Sequence, residues 1–230
     1  ELQYQEYADG IINGCKIGVE GNDLYVGAGL IKCQGFIYLI PAQRIPYCAT
    51  NELQYLKFAV LERQELPDYI KYVAQIGLDE KPPQGGREIE LCRFKLREGS
   101  MLRTEYKDFY DFQTEFDTVN LADAGWGSRG GTTLSMEVTD AYAQKILECE
   151  GADPVDIQFA YLALQGREAV NRDMLVDYLT RRGGKGIDSD KRTNSDMFAE
   201  LESILQAVRS GKNIRSRQKT GRADRMIILD

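Results

Sequence analysis

Histidine is absent from this chain of 230 residues, and its absence removes several classes of function. Without histidine there is no Ser-His-Asp or Cys-His catalytic system, no histidine-bearing zinc site and no general base of the usual kind at neutral pH. Carboxylates alone can still catalyse glycoside hydrolysis. The sequence therefore favours a protein that is not an enzyme.

Cysteine pairs and nucleotide motifs are also missing. The five cysteines are odd in number, widely spaced and without a CxxC pair; they are Cys15, Cys33, Cys48, Cys92 and Cys149. This usage indicates small buried hydrophobic residues in a reducing compartment, not a disulfide framework or a zinc site. There is no Walker P-loop, GxSxG elbow or DxDxDG metal loop. We therefore expect no cofactor and no bound metal.

Long apolar runs and excess positive charge are lacking as well. No stretch of eighteen apolar residues occurs, so we expect no membrane-spanning segment. The net charge is −7 and the sequence pI is about 4.9, which opposes binding of a polyanion over the whole surface. The hydrophobic fraction of 43% and the charged fraction of 28% are those of an ordinary folded protein.

The first hundred residues have the pattern of short strands. The stretch "GNDLYVGAGLIKCQGFIYLI", residues 21–40, alternates glycines with β-branched and aromatic residues. It predicts a hairpin turn at Gly21-Asn22-Asp23 and a second tight turn at Gln34-Gly35, and together a three-strand meander. Further strand patterns continue to Leu96. Residues 1–99 are therefore expected to form a small antiparallel β-sandwich or barrel.

Residues 100–137 are aromatic and acidic, then glycine-rich. Their candidate contact residues are Tyr106, Phe109, Tyr110, Phe116 and Trp126, the only tryptophan. Two interpretations remain open. The segment is a connector whose aromatic rings pack on the domains at either side, or it is a strip that docks a partner.

Residues 138–210 have the pattern of four capped helices. Thr139, Asp153 and Asn171 are the expected N-caps, with Pro154 at a first helical position. The last helix is expected to bury one apolar face that contains Phe198, Leu201, Leu205 and Val208. The fold class is therefore α+β, a β-domain followed by a small helical domain.

Residues 211–230 form a basic arm. They contain six cations and two acids, a net charge of +4, which leaves −11 on residues 1–210. The arm ends in the apolar sequence "MIILD", which has the composition of a strand that can pair with a sheet edge of its own or of an adjacent subunit. Its candidate contact residues are Arg215, Arg217, Arg222, Arg225, Ile227, Ile228 and Leu229.

Two other classes of function stay open. The helices over residues 153–182, with Asn171, Arg172 and Arg182, and the basic arm are compatible with nucleic-acid binding. The acidic body and the lack of aromatic residues in the arm oppose it. The second alternative is a carboxylate-based glycoside hydrolase, whose acids would come from Asp108, Asp111, Glu115 and Asp117.

The string "YADGIINGCKIGVEGNDLYVGAGLIKCQGFIYLI" resembles the opening of a family of phage and prophage tail proteins. The shared cadence falls on Gly10, Ile11, Gly14, Cys15, Asn22, Leu24, Gly27 or Gly29, and Gly35. The later "REIELCRFKLREG" and the basic end closing on "IILD" are similar to that family too. The resemblance implies a structural role, and no catalytic residue carries over.

Composition and pattern indicate a non-enzymatic assembly component, and the resemblance implies that it belongs to a phage tail or baseplate. Its expected partners are other tail or baseplate subunits, including further copies of itself. Its expected location is the virion tail, after synthesis in the bacterial cytoplasm.

Overall fold

The structure, a computed structural model, describes residues 4–65, 70–183 and 191–211. In these ranges the strands are β1 (Gly10–Gly14), β2 (Ile17–Glu20), β3 (Asp23–Val26), β4 (Gly29–Cys33), β5 (Phe36–Ile40), β6 (Gln43–Pro46), β7 (Leu53–Glu65), β8 (Ile70–Asp79), β9 (Glu88–Lys95), β10 (Trp126–Ser128) and β11 (Gly131–Thr133). The α-helices are α1 (Met136–Leu147), α2 (Pro154–Gln165), α3 (Arg172–Arg181) and α4 (Asn194–Arg209), and a 3-10 helix covers Phe109–Gln113. The predicted class, mixed α+β with N-terminal strands and C-terminal helices, is confirmed.

The strands form three sheets. A five-stranded sheet has the order β11-β10-β1-β4-β5, and two three-stranded sheets have the orders β2-β3-β6 and β8-β7-β9. All strand pairs are antiparallel except β1 with β10, which is parallel. The five-stranded sheet thus joins the beginning of the chain to residues more than a hundred positions later.

The glycines at the start of the chain make a corner between two sheets. Both predicted tight turns are confirmed: Gly21 has φ 62° in the β2–β3 hairpin, and Gln34 and Gly35 have φ 55° and 77° between β4 and β5. The predicted three-strand meander is wrong, because β3 and β4 belong to different sheets. Backbone hydrogen bonds from Cys15 to Ala28 and from Gly27 to Lys16 continue the pairing through the corner.

Gly29 shows why this corner requires glycine. A Cβ atom at Gly29 would lie 2.4 Å from the carbonyl oxygen of Asn13 and 2.5 Å from the amide nitrogen of Cys15. Backbone atoms cannot swing aside as a flexible side chain can, so the two strands approach closely only in the absence of a side chain.

Part of the predicted connector is built into sheets. Trp126–Ser128 and Gly131–Thr133 are β10 and β11 of the five-stranded sheet. Before them, the chain runs along β9, with isolated bridges from Arg93 to Asn120 and from Lys95 to Phe116. The domain boundaries proposed from the sequence stay predictions; the structure adds that these residues pair with strands from the first hundred.

Two of the three predicted N-caps are confirmed, and α4 has an N-cap that was not predicted from the sequence. Asp153 caps α2 with Asp156 completing a capping box, Asn171 caps α3, and Thr193 caps α4. Thr139 as the cap of α1 is wrong: Ser135 caps this helix, and Thr139 lies inside it with its hydroxyl donating to backbone carbonyl oxygens. The predicted apolar face of α4 is confirmed, since all four of its residues are buried.

The buried apolar side chains of the strands and helices form one continuous cluster. The 3-10 helix contacts α1, and α1 packs on α2 and α4, while α3 packs on β11. The helices therefore cover the β11 side of the five-stranded sheet, whose other edge is β5. In the described parts of the chain, no helix is long and apolar enough to cross a membrane.

Candidate interaction surface

β5 is an edge strand whose outer side carries no backbone partner among the described residues. It pairs with β4 along its whole length, from Phe36 opposite Cys33 to Ile40 opposite Gly29. No other described backbone or side-chain group forms a hydrogen bond to residues 36–40. An open row of amide and carbonyl groups is a template for pairing with another strand.

The side chains of β5 are apolar as well as accessible. The strand has the sequence FIYLI, with 83% of Leu39 and 48% of Phe36 exposed to solvent. Side chains alternate along a strand, so Phe36, Tyr38 and Ile40 lie on the face opposite to Leu39. On that face Tyr38 packs on Phe58 with ring centroids 5.0 Å apart. The core face of β5 is therefore exposed at its Phe36 end, while Leu39 on the other face and the open edge also meet solvent.

On the face of β5 that carries Phe36, a groove lies between β5 and the strands β7 and β8. Phe36 packs on Tyr72 of β8 with ring centroids 4.7 Å apart, and the groove is also lined by Leu61, which is 53% exposed. Leu61 is exposed because the β7–β8 pairing shifts between Val60 and Glu62, a bulge that leaves this residue unpaired. We call the open edge of β5 together with Phe36, Leu39 and Leu61 the β5 surface.

Polar contacts from the start of the chain hold the β4–β5 hairpin in place. The carboxylate of Asp9 accepts hydrogen bonds from the backbone amides of Gln34 and Gly35 in the turn. The ammonium of Lys32 lies on the same face of the hairpin as Leu39, and it donates to the carbonyl oxygens of Tyr4, Gln5 and Tyr7 at 2.7–2.9 Å. The edge strand is thus presented on a fixed support, which lowers the entropic cost of pairing with it.

Two of the candidate contact aromatics lie in the core. Phe109 is fully buried and stacks on Phe198 of α4, with ring centroids 4.6 Å apart. Trp126 is 8% exposed in β10, opposite Thr133 and beside Ile11. These rings contact their own chain, as the connector interpretation expects, and they present no surface to a partner.

The other three aromatic residues of that segment are half-buried and contact other residues of the same chain. Tyr106 stacks on Phe112 and donates its hydroxyl to the carbonyl oxygen of Val119. Cations lie over the other two rings: Lys95 and Arg97 over Phe116, and Arg209 over Tyr110. The structure therefore does not bring the five aromatics together into one exposed strip.

The remaining candidate residues, Arg215, Arg217, Arg222, Arg225, Ile227, Ile228 and Leu229, lie outside the described residues. Of the cysteines, Cys15, Cys33 and Cys92 are buried as expected, Cys149 is half-buried, and Cys48 is exposed, contrary to the expectation. Burial raises the pKa of the Cys15 and Cys33 thiols to about 11, so both remain protonated at neutral pH.

The four carboxylates considered for glycoside hydrolysis form hydrogen bonds or ion pairs within the chain. Asp108 caps the 3-10 helix, and Asp117 and Glu115 pair with Arg97 and Lys95. Asp111 accepts two hydrogen bonds from the guanidinium of Arg103. Within the described ranges, no group of three or more cysteine, aspartate or glutamate side chains is arranged to hold a metal ion.

The pairing of Asp111 with Arg103 predicts part of the acid sensitivity of the fold. The guanidinium holds the pKa of the Asp111 carboxyl well below its usual range. Because the pKa is lowered in the folded state, this stabilisation is present above about pH 4 and is lost as the pH falls further. We expect Asp111→Asn to flatten the pH dependence of the free energy of unfolding below about pH 4, measured by urea denaturation at several pH values.

Glu115→Gln is the control, since Glu115 is 69% exposed and lies 3.7 Å from Lys95. This variant should keep the pH profile of the unaltered chain. An Asp111→Asn profile as steep as that of the unaltered chain would contradict the assignment.

The two arginines considered for nucleic-acid binding interact with other groups of the same chain. Arg172 donates to the carbonyl oxygens of Thr132 and Arg192, and Arg182 is 3% exposed and pairs with the buried Asp156. Neither guanidinium is presented to a phosphate backbone, so nothing in this helix pair favours that function over the β5 surface.

A second accessible apolar patch lies on the helices. Leu162 of α2 and Met174 of α3, which are 43% and 52% exposed, line one groove between these helices. The patch offers only side chains, because the backbone groups of a helix interior are already paired. The β5 surface adds directional backbone hydrogen bonds to its apolar contacts and is the better-defined site.

Comparison with protein-family models, curated proteins and solved structures finds no match to this chain. The candidate site is therefore argued from the geometry alone. Its sequence signal was the run FIYLI between Gly35 and Pro41, which the strand pattern identified. The pattern did not identify it as an edge, because an apolar run is more typical of a strand buried on both sides.

Proposed function

We propose that this chain is a non-enzymatic structural subunit of a phage or prophage tail or baseplate, and that it joins its neighbours through the β5 surface. The tail setting follows from the resemblance carried by Gly10, Ile11, Gly14 and the later glycines. The subunit contact is supported by one observation above all: an apolar edge strand that has no partner on its outer side among the described residues.

The lack of protection on β5 supports a contact role. Edge strands of soluble proteins are commonly guarded by lysine, proline, a bulge or a covering loop. β5 has five uncharged residues with no proline, its pairing with β4 has no register shift, and Leu39 is almost fully exposed. An edge of this kind favours association with another strand, which supports a contact function.

Leu39→Lys is expected to abolish self-association while leaving the fold intact. The side chain is 83% exposed, so its replacement should change the free energy of unfolding by less than about 0.5 kcal/mol. A charge on the edge opposes pairing with a second strand. Light scattering coupled to gel filtration should find an oligomer for the unaltered chain and a mass near 26.0 kDa for the variant.

Met101→Lys is the matched control, because Met101 is 85% exposed and lies by a different groove, beside Tyr47 and Leu102. It should form the same oligomer as the unaltered chain. An unaltered chain that stays at the monomer mass, or a Leu39→Lys oligomer of unchanged size, would contradict the proposed function.

The tail setting has its own test. Phage particles purified from a strain that encodes the chain should contain it in their tail fraction, as detected by mass spectrometry. Intact particles that lack the chain would contradict the tail setting without bearing on self-association.

A further inference from the structure

The open edge of β5 constrains what can bind to it. A strand of five residues offers about 17 Å of unpaired backbone. Its partner must be an extended segment of four or five residues, able to donate and accept backbone hydrogen bonds and apolar enough to cover Leu39. Glycine, proline and charge within that segment would each weaken the pairing.

One segment of this chain has that chemistry. Residues 226–229 read Met-Ile-Ile-Leu, with two β-branched residues and no charge, glycine or proline. They lie outside the described residues. We propose that residues 226–229 of one copy add as a strand to β5 of a second copy, an inference that rests on the proposed function and names the partner at the same site.

The linking segment is long enough to extend beyond the sheet of its own copy. α4 packs on α1 and α3, and α3 packs on β11, the edge of the sheet opposite to β5. From β11 to β5 there are four strand spacings, about 19 Å. The fourteen residues 212–225, fully extended, span about 46 Å, more than twice that width.

Charge favours an arm that crosses between copies. Residues 212–230 carry +4, whereas the remainder of the chain carries −11. Two bodies of −11 repel each other, and a cationic arm laid on the neighbouring body offsets part of that repulsion. Assembly through the arm should therefore weaken as the salt concentration rises.

A complementation experiment with two full-length variants tests this pairing. Leu39→Lys blocks the edge and keeps the arm, whereas Ile228→Pro keeps the edge and removes an amide donor from the added strand. Each variant alone should be monomeric. Mixed in equal amounts they should form a one-to-one dimer, because the arm of the first copy can still pair with β5 of the second.

Native mass spectrometry of the mixture, with one variant isotopically labelled, identifies the composition of the dimer. Ser216→Pro places the same substitution in the linking segment and should leave the oligomer unchanged. Circular dichroism of each variant confirms that both are folded before mixing.

The outcomes separate this inference from the proposed function. If Leu39→Lys is monomeric but Ile228→Pro still forms the oligomer, the proposed function stands and this inference is overturned. If both variants are monomeric but their mixture stays monomeric, residues 226–229 do not pair with a second copy, and the inference is again overturned. An oligomer that survives Leu39→Lys overturns both.

Discussion

Replacing Asp156 by asparagine is expected to lower the free energy of unfolding by about 3–5 kcal/mol, because Asp156 is the charged centre of a buried network that joins three helices. Its side chain is fully buried. One carboxylate oxygen accepts from the amide of Asp153 at the N-terminus of α2, and the other accepts from the hydroxyl of Tyr178 on α3. Because asparagine has nearly the same shape, the loss comes from removing the charge and replacing one acceptor oxygen by an NH2 donor.

The network extends to Arg182 and α1. The Arg182 Nε atom lies 2.7 Å from a carboxylate oxygen of Asp156, and the Tyr142 hydroxyl of α1 is 2.5 Å from that of Tyr178. Burial raises the pKa of both tyrosines, so they remain neutral hydrogen-bonding groups at any ordinary pH. Removing the Asp156 charge takes away the carboxylate that offsets a buried guanidinium.

Urea denaturation at neutral pH, followed by circular dichroism, measures this loss. Asp177→Asn is the matched control, because Asp177 pairs with Arg181 on the same helix and both side chains are about 60% exposed. It should change the free energy of unfolding by less than about 0.5 kcal/mol. A loss below about 1 kcal/mol for Asp156→Asn would show that the network does not stabilise the helices in this way.

Replacing Phe109 by alanine is the second large effect, with an expected loss of about 3–5 kcal/mol. The ring is fully buried between Tyr142 of α1 and Phe198 of α4, with ring centroids 5.5 Å and 4.6 Å away. Alanine leaves a cavity that these neighbours can fill only in part. The same denaturation measurement applies, with Tyr161→Ala as control because Tyr161 is 55% exposed.

This substitution also decides between the two interpretations of the aromatic segment. If the rings join structural elements, Phe109→Ala lowers stability and leaves the oligomer intact under native conditions. If they dock a partner, the variant keeps its stability and loses the oligomer. The second result would contradict the packing described above.

Local features of the fold followed from neighbouring residues in the sequence. Asp153 and Asn171 were identified as helix caps because a short polar side chain before a helix satisfies amides two or three residues later. The turn at Gln34-Gly35 was identified because its backbone requires residues that tolerate positive φ. Thr139 was misassigned because Ser135, four residues earlier, offers the same chemistry and begins the helix.

The order of the strands in the sheets cannot be predicted from neighbouring residues in this way. The parallel pairing of Ile11 in β1 with Trp126 in β10 joins residues more than a hundred positions apart, and no local pattern encodes it. Because the chain forms a corner at Gly29, β3 and β4 belong to different sheets. The glycine pattern alone had suggested successive turns within one sheet. Strand pairing is decided by burial of the whole set of apolar faces.

Residue patterns were sufficient for the fold class, two of the helix caps, the two tight turns, the charge contrast between body and arm, and the absence of histidine chemistry. Only the tertiary structure decided that Phe109 and Trp126 are buried and that the apolar strand Phe36–Ile40 lies at a sheet edge. The physical reason is the range of the interactions. Caps and turns depend on a few adjacent residues, whereas burial and edge position depend on which distant segments pack on either side.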